Sequence, residues 1–435
     1  MVKAKAVKKK LKNIIQEMAQ NKDLFVKNPG KDFSRNRKLN FETMMKLMIT
    51  MEAGSQKNEL YSFFNCDINT PTSSAFIQQR SKIKTEAFNH IIYELNSSFK
   101  TKKYKGYDLL ACDGSSVSIP LEQGESVYVV ARKGNRKKYF QMHVNALYDL
   151  MNHRYRDMTT SPRQKNDERN ELIKMIKRGD FSPKTIFIAD RGYEGYGIIG
   201  QINFSGMFYL FRAKDSNDGG LVKSFNLPKE GEYDVTITRK FTFLNNKKVR
   251  NNPEIYKRIH KSKSNGFLTK EEPYKEMTIR IVRIKITDNN YECLITNLPK
   301  ENFSKEELKK LYNMRWGIET SFRELKYTVG ITSLHSKKPE YIEQEIFAKC
   351  IMYNFSEIIT LNVAQSTATN TKYKYQVNYT LAIKLCRQFL KQWDDDTPFD
   401  IEVLIAREVL PIRPGRNYSR NKGYHSAVAF QYRTN

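Results

Sequence analysis

No run in this sequence approaches the ~18 consecutive apolar residues of a membrane-crossing helix, so a membrane protein is not expected. The opening MVKAKAVKKKLK carries lysines where a secretory signal has its apolar centre, and this points to a soluble, cytoplasmic chain. Cysteine is sparse. Cys66, Cys112, Cys293, Cys350 and Cys386 are far apart, form no C-x-x-C pair and have no histidine at zinc-ligand spacing. A structural zinc therefore does not fit, whereas a reducing compartment does. Acid is also in short supply: 47 Asp and Glu face 75 Lys and Arg, a formal charge of +28. Such a surplus makes a polyanion the first expected partner. The basic residues run from Lys3 to Arg433, so that partner should touch several parts of the chain, while many of the charges serve solubility alone.

A length of 435 residues is enough for several domains. Residues 1–100 carry helical spacing, as in Leu11, Ile14, Ile15 and Met18. Pro71 and the candidate caps Thr72, Ser73 and Ser74 start a helix predicted to run to residue 99. Its outer face would carry Gln78, Gln79, Arg80, Lys82 and Lys84, side chains that reach base edges and phosphates, so Arg80 is a candidate DNA contact. A plain basic surface helix is the alternative.

From residue 107 the texture is that of strands. Residues 107–112 form an apolar run that delivers Asp113 at its end, before a turn at 114–116; further strands fit 125–131 and 139–151. A helix fits 166–177, then a buried strand at 184–189 ends on Asp190, and another strand fits 207–213. Residues 215–297 alternate apolar with polar as exposed strands do and read as a β-rich insertion. Helices return from 341 onward, and the chain closes on a basic tail. There Pro411 and Pro414 keep Arg413, Arg416, Arg420 and Lys422 out of a helix, either for phosphate contact or simply solvated. The expected division is 1–100 helical with candidate DNA contacts, 101–214 the first part of an α/β core, 215–297 a β-rich insertion, 298–345 the return to that core, and 346–435 helical with a basic tail. The fold class is α/β.

The stretch 304–330 carries the most chemistry. Ser304 and Glu307 form a capping box and Gly330 suits a helix end, so one long helix or two stacked ones are predicted. At about 100° per residue, Leu311, Met314, Ile318, Phe322, Leu325 and Val329 share an arc of roughly 80° that packs on a core. Beside it Tyr312, Arg315, Glu319 and Lys326 share an arc of roughly 60°. One carboxylate among two cations and a phenol can hold a hard divalent cation beside a phosphate, although such charges also occur on ordinary solvated helix faces. Asp113 and Asp190, each at the end of an apolar strand, sit where open α/β sheets bind ligands. With a third carboxylate from a helix they could hold two divalent ions about 3.5–4 Å apart, as in-line phosphoryl displacement requires.

CDGSSVSIP around Asp113, ADRGYEG around Asp190, and the spacing Tyr312-x2-Arg315-x3-Glu319-x6-Lys326 resemble the bacterial insertion-sequence transposases of the DDE class that carry the Y-R-E-K signature. The resemblance implies a ribonuclease H-like catalytic core with a β-rich insertion, flanked by helical N- and C-terminal domains. It also implies Mg²⁺ or Mn²⁺, two ions, held by Asp113, Asp190 and Glu319. Tyr312, Arg315 and Lys326 would grip phosphates near the cleaved end, with Arg191 and Tyr193 assisting. The implied activity is cut-and-paste DNA transposition by a homodimer that acts on double-stranded DNA, the terminal inverted repeats of its element and a target. In some relatives a Trp of the insertion stacks on a flipped base; here Trp316 and Trp393 lie elsewhere, leaving Tyr233, Phe241 or Phe243 for that task. The rival readings are a nuclease of the same fold that cuts without joining and a catalytically dead DNA-binding regulator. A G-x-G-x-x-G match at 195–200 begins too far beyond its strand for a dinucleotide fingerprint, and the scattered histidines, His143 among them, read as structural.

Overall fold

The computed structural model describes residues 3–119, 129–130, 139–215, 219–261, 266–287, 290–366, 375–393 and 399–411. The chain opens with α1 (Ala4–Gln20), α2 (Phe41–Thr50), α3 (Gln56–Phe63), α4 (Ser73–Arg80) and α5 (Glu86–Ser97). Thr72 does cap α4, accepting the Ala75 N–H at 3.2 Å. The single helix predicted to residue 99 is instead two, because Ile83 turns inward and pairs its backbone with Val26. A buried β-bridge there outweighs the continuous helical period.

Strands β1 (Asp108–Ile119), β2 (Val129–Val130), β3 (Tyr139–Asp149) and β4 (Arg154–Pro162) follow, then α6 (Glu168–Arg178), β5 (Thr185–Ala189), α7 (Tyr196–Phe204) and β6 (Phe208–Ala213). The turn predicted at 114–116 is absent: β1 continues through Asp113 and pairs with β3 as far as Ile119. β4 had no counterpart in the sequence reading. Of the strand predicted at 125–131, only Val129–Val130 falls within the described residues.

Next come β7 (Tyr233–Thr242), α8 (Lys247–Asn251), β8 (Tyr256–Arg258), β9 (Tyr274–Thr287) and β10 (Asn290–Thr296). These strands hydrogen-bond to the core sheet through the antiparallel pair β10–β6. Among the described residues one ten-stranded sheet results, in the order β2-β3-β1-β5-β6-β10-β9-β7-β8 with β4 on β3. The architecture is thus mixed α/β around a large central sheet.

Helices α9 (Lys305–Met314), α10 (Trp316–Glu324) and α11 (Pro339–Ser366) cross one face of the sheet, and β11 (Tyr375–Val377), α12 (Tyr379–Lys391), α13 (Ile401–Arg407) and β12 (Val409–Pro411) complete the described chain. Alternation along the strands sorts the core into two layers. Leu109, Ala111, Ile186 and Ile188 pack with α1, α2, α5 and α9 to α12. Leu110, Cys112, Phe187 and Ala189 pack with α6 and α7. α11 has apolar residues all round and lies buried among its neighbours, as such a helix must. No helix among the described residues is long and apolar enough to cross a membrane.

Candidate active site

Three elements converge at the C-terminal end of β5, in the interior of the sheet. β1 and β5 run parallel, in register from Asp108 opposite Thr185 to Cys112 opposite Ala189. β5 stops there while β1 continues, so Asp113 and Asp190 each stand one residue past the last pair. By alternation both belong to the face covered by α9 to α11. The Asp190 carboxylate accepts the Gly192 N–H at 2.8 Å and turns the chain into a short 3₁₀ turn at Arg191–Tyr193. Asp113 accepts the N–H of Gly114 at 2.8 Å.

The third element is the stretch 304–330. Ser304 caps α9, accepting the Glu307 N–H at 3.3 Å. The reciprocal half of the predicted capping box is replaced: Glu307 takes the Tyr104 hydroxyl at 2.8 Å and the Lys105 ammonium at 2.6 Å. These bonds tie the start of the helix to the segment entering β1. Winding tightens at Arg315, whose N–H bonds the Tyr312 carbonyl three residues back, and this separates α9 from α10. Gly317 does not break the helix. It lets α10 approach β3, since a Cβ there would lie 3.0 Å from Leu150. A π turn at Leu325–Val329 ends the stretch on Gly330 at φ 91°, the left-handed conformation that glycine adopts freely.

Arg315, only 5% exposed, joins the carboxylates: Nη2 donates to Glu319 at 2.8 Å and Nη1 lies 3.9 Å from Asp113. Burial pushes the Asp113 carboxyl up to about 7, against the pull of the Gly114 N–H and Arg315 and with the help of the Asp190 and Glu319 charges. Burial also holds the Lys326 ammonium below its usual range, with Asp113 pulling the other way. Asp113 therefore lies within electrostatic reach of Asp190, Glu319, Arg315 and Lys326.

Other expected site residues lie elsewhere. Tyr193 is 2% exposed and packs on Phe211, so its ring belongs to the core and not to a phosphate-gripping surface. Tyr312 is 4% exposed, its ring 5.7 Å from the Arg315 guanidinium, so it is buried against that arginine. Arg191 is exposed beside Asp190. Arg80 is 2% exposed: it donates to Gln344 and Glu345 at 2.9 Å each and to the Tyr341 carbonyl, pinning α4 to α11. A solvent-facing DNA contact is thus ruled out for Arg80 by the α11 carboxylate that covers it. Of the aromatics that could stack on a flipped base, Tyr233 and Phe241 are buried, and Phe243 is half-buried. Arg413 and Arg416 lie outside the described residues. In the G-x-G-x-x-G match, Gly200 serves packing: a Cβ there would meet the Phe267 ring at 2.4 Å.

A further pair, unmarked in the sequence, lies beneath the site. His143 on β3 lies 3.0 Å from Glu168 at the start of α6 and 3.2 Å from the Ser116 hydroxyl. A Cβ at residue 114 would stand 2.2 Å from the His143 ring, so the glycine next to Asp113 is required by this pair. No spacing in the sequence links residues 114, 143 and 168; the pairing of β1 with β3 and the packing of α6 on them do.

Residues 104–355 match the family model for a transposase DDE domain. The transposase InsG of insertion sequence element IS4 from Escherichia coli K12 is 25% identical over 354 residues, which cover 76% of this chain and 72% of that one. The transposase of insertion sequence element IS421 from Escherichia coli is 36% identical over 58 residues, 13% of this chain and 16% of its own. Among solved structures, piggyBac transposase in a synaptic complex with hairpin DNA aligns over 97% of this chain and 88% of that chain at 8% identity. Its TM-score is 0.47, and at that level the likeness carries no argument. The family match spans more than half of the sequence and takes in Asp113, Asp190 and all of α9 and α10, so the chain belongs to the family of transposases with a DDE domain.

Proposed function

We propose that this transposase moves an insertion sequence by cut and paste, cutting a phosphodiester at each terminal inverted repeat and joining the freed 3′ hydroxyls to target DNA. The observation that carries the reading is the parallel register of β1 and β5, which sets Asp113 beside Asp190 on the sheet face crossed by the helix bearing Glu319. A ribonuclease H-like core is the fold that goes with this reading.

Asp113, Asp190 and Glu319 would hold the divalent ions, Mg²⁺ or Mn²⁺. Such ions lower the pKa of an attacking water or orient a 3′ hydroxyl, and they stabilise the leaving oxygen. The donor set suits them: all three side chains are carboxylates, and Asp113, raised first by burial and then by the Asp190 and Glu319 charges, is a carboxylate whose charge a bound cation would offset. Among the described residues no three potential ligands are yet drawn together closely enough to enclose an ion. Arg315 meanwhile occupies Glu319. A DNA phosphate competes for that guanidinium, since Arg forks onto phosphate as readily as onto carboxylate, and so releases Glu319. Lys326 supplies a second cation toward the same phosphate, Tyr312 supports Arg315 from behind, and Arg191 offers an exposed cation beside Asp190. A homodimer pairing the two ends completes the reaction.

The test is purified protein on DNA carrying the terminal repeats of the encoding element, with Mg²⁺ or with EDTA. Excision and joining are expected with Mg²⁺ and neither with EDTA. Release without joining would assign a nuclease, and a band shift without cutting a regulator.

A further inference from the structure

Of the helix face expected to meet DNA in the N-terminal domain, Gln79 and Arg80 are buried, yet a cationic surface stands close by. Between α1 and α2 the chain loops through residues 28–39 and satisfies its own carboxylates internally. The Asn28 N–H donates to Asp32 at 2.9 Å and the Gly30 N–H to Asp23 at 3.0 Å. Lys38 is taken by Asp67 at 2.5 Å. Around an open recess of about 370 Å³ this leaves Lys31, Arg35 and Arg37 from the loop and Lys82 from beyond α4, over a floor that includes Phe33 and Gln79.

Among the described residues no carboxylate pairs with Lys31, Arg35 or Arg37. Lys82 is held in place: its ammonium donates to Gln79 at 2.9 Å and sits 5.5 Å from the centre of the Phe33 ring. Phe33 itself has φ 57°, a left-handed conformation unfavourable for an aromatic residue, and its ring stands edge-on to Phe41 at 5.7 Å. The loop is therefore braced in a conformation that gathers cations which repel one another and lack a counter-charge. Four cations exceed what one phosphodiester neutralises, and two arginines suit the forked geometry of phosphate oxygens. An extended polyanion that passes several phosphates across an open recess matches both features better than a small free anion.

We propose that this recess grips the sugar–phosphate backbone of the element's DNA end, an assignment that rests on the transposase reading above. The contact contributes register and affinity without reading bases. The test is fluorescence anisotropy of the full chain on a labelled duplex carrying the terminal repeat, in EDTA, across a salt series. Arg35→Ala with Arg37→Ala should weaken binding about tenfold near 0.1 M salt and lower the salt slope by about one to two, because each phosphate contact contributes about 0.9. The melting temperature should stay unchanged, since both side chains are exposed. Removing the same charge at two exposed lysines elsewhere, Lys223→Ala with Lys270→Ala, should cost less than about threefold. Arg35→Lys with Arg37→Lys should restore the slope and part of the affinity.

Equal losses from the two alanine pairs would reduce the recess to generic charge and overturn the proposal. So would an unchanged slope, or inorganic phosphate raising the melting temperature of the wild type but not of the arginine variant while DNA binding stays intact in both. A chain that shows the expected arginine effect but never cuts the repeat with Mg²⁺ would uphold the recess and remove the cut-and-paste reading. Cutting and joining without the arginine effect would do the reverse.

Discussion

At the scale of single residues, the site is defined by how few counter-charges it has. One buried guanidinium, that of Arg315, bonds Glu319 and only approaches Asp113. Glu319→Gln keeps the shape and a hydrogen-bond acceptor for Arg315 but loses the charge a divalent ion needs. Cleavage is expected to fall by at least about 10³-fold, in line with the several kcal/mol such an ion supplies to a transition state. Affinity for the DNA end should change less than about threefold, checked by anisotropy on the same duplex. A collapse of binding with this variant would make Glu319 structural instead. Arg315→Lys keeps the charge and loses the fork, so cutting should slow by about 10- to 100-fold while the fold is retained, read by single-turnover cleavage and thermal melting.

At the scale of elements, the N-terminal helices are fixed to the core by a buried ion pair. Arg80 on α4 meets Glu345 on α11 at 2.9 Å, and Glu345 also accepts the His335 N–H at 2.7 Å. Burial works against the Glu345 charge, but Arg80 and His335 hold its carboxyl down at about 2. Removing one member of such a pair leaves the other buried and unpaired, so Arg80→Ala should destabilise by about 3–5 kcal/mol in chemical denaturation. A carboxyl depressed on folding contributes stability above its unfolded value of 4.5 and loses it as pH falls toward about 2. Melting temperature should therefore decline through that window in the wild type, and Glu345→Gln should show a shallower decline. The helical stretch 304–330 was legible as an element because its apolar stripe, cap and terminal glycine are local signals. Its tightened turn at Arg315 and its π turn were not, since both conserve the helical direction and leave no mark in residue spacing.

At the scale of the whole molecule, long-range packing also stores acid where a strongly basic chain would not suggest it. A cavity of about 540 Å³ between the β3–β4 turn, α10 and α11 is lined by Glu324, Glu357, His153, Tyr148 and Tyr353. Burial, with Glu357 beside it, pushes Glu324 up to about 7, although Tyr353 donates to it at 3.1 Å. A carboxyl raised on folding lends stability that is complete below its unfolded value of 4.5 and is lost as pH rises through about 7. Glu324→Gln should accordingly stabilise the chain at pH 8 by about 1–3 kcal/mol and change little at pH 4, measured by denaturant unfolding. Assembly belongs to this scale as well. Mass measurement of the purified chain with and without repeat DNA should give two protein copies on two DNA ends, and a one-to-one complex that still excises the element would remove the dimer from the proposal.

The sequence by itself determined most of the helices and strands, which face of each is apolar, and a charge surplus that favours a polyanion. Those properties follow from period, caps and charge, all of which act over a few residues. It also supplied Asp113, Asp190 and Glu319 as candidates, through their positions at element ends and their spacing. Only the tertiary structure decided which candidates meet. Asp113 and Asp190 stand abreast because β1 pairs parallel with β5 and each aspartate follows the last pair, Cys112 opposite Ala189, by one residue, a register fixed by side-chain burial on both faces of the sheet. Arg80, by contrast, is hidden because a carboxylate 265 residues further along the chain covers it. A helical period shows that a side chain points away from its own apolar stripe. It does not show whether water or another helix lies on that side, and this distinction moved the N-terminal domain's proposed grip on DNA from the face of α4 to Lys31, Arg35, Arg37 and Lys82.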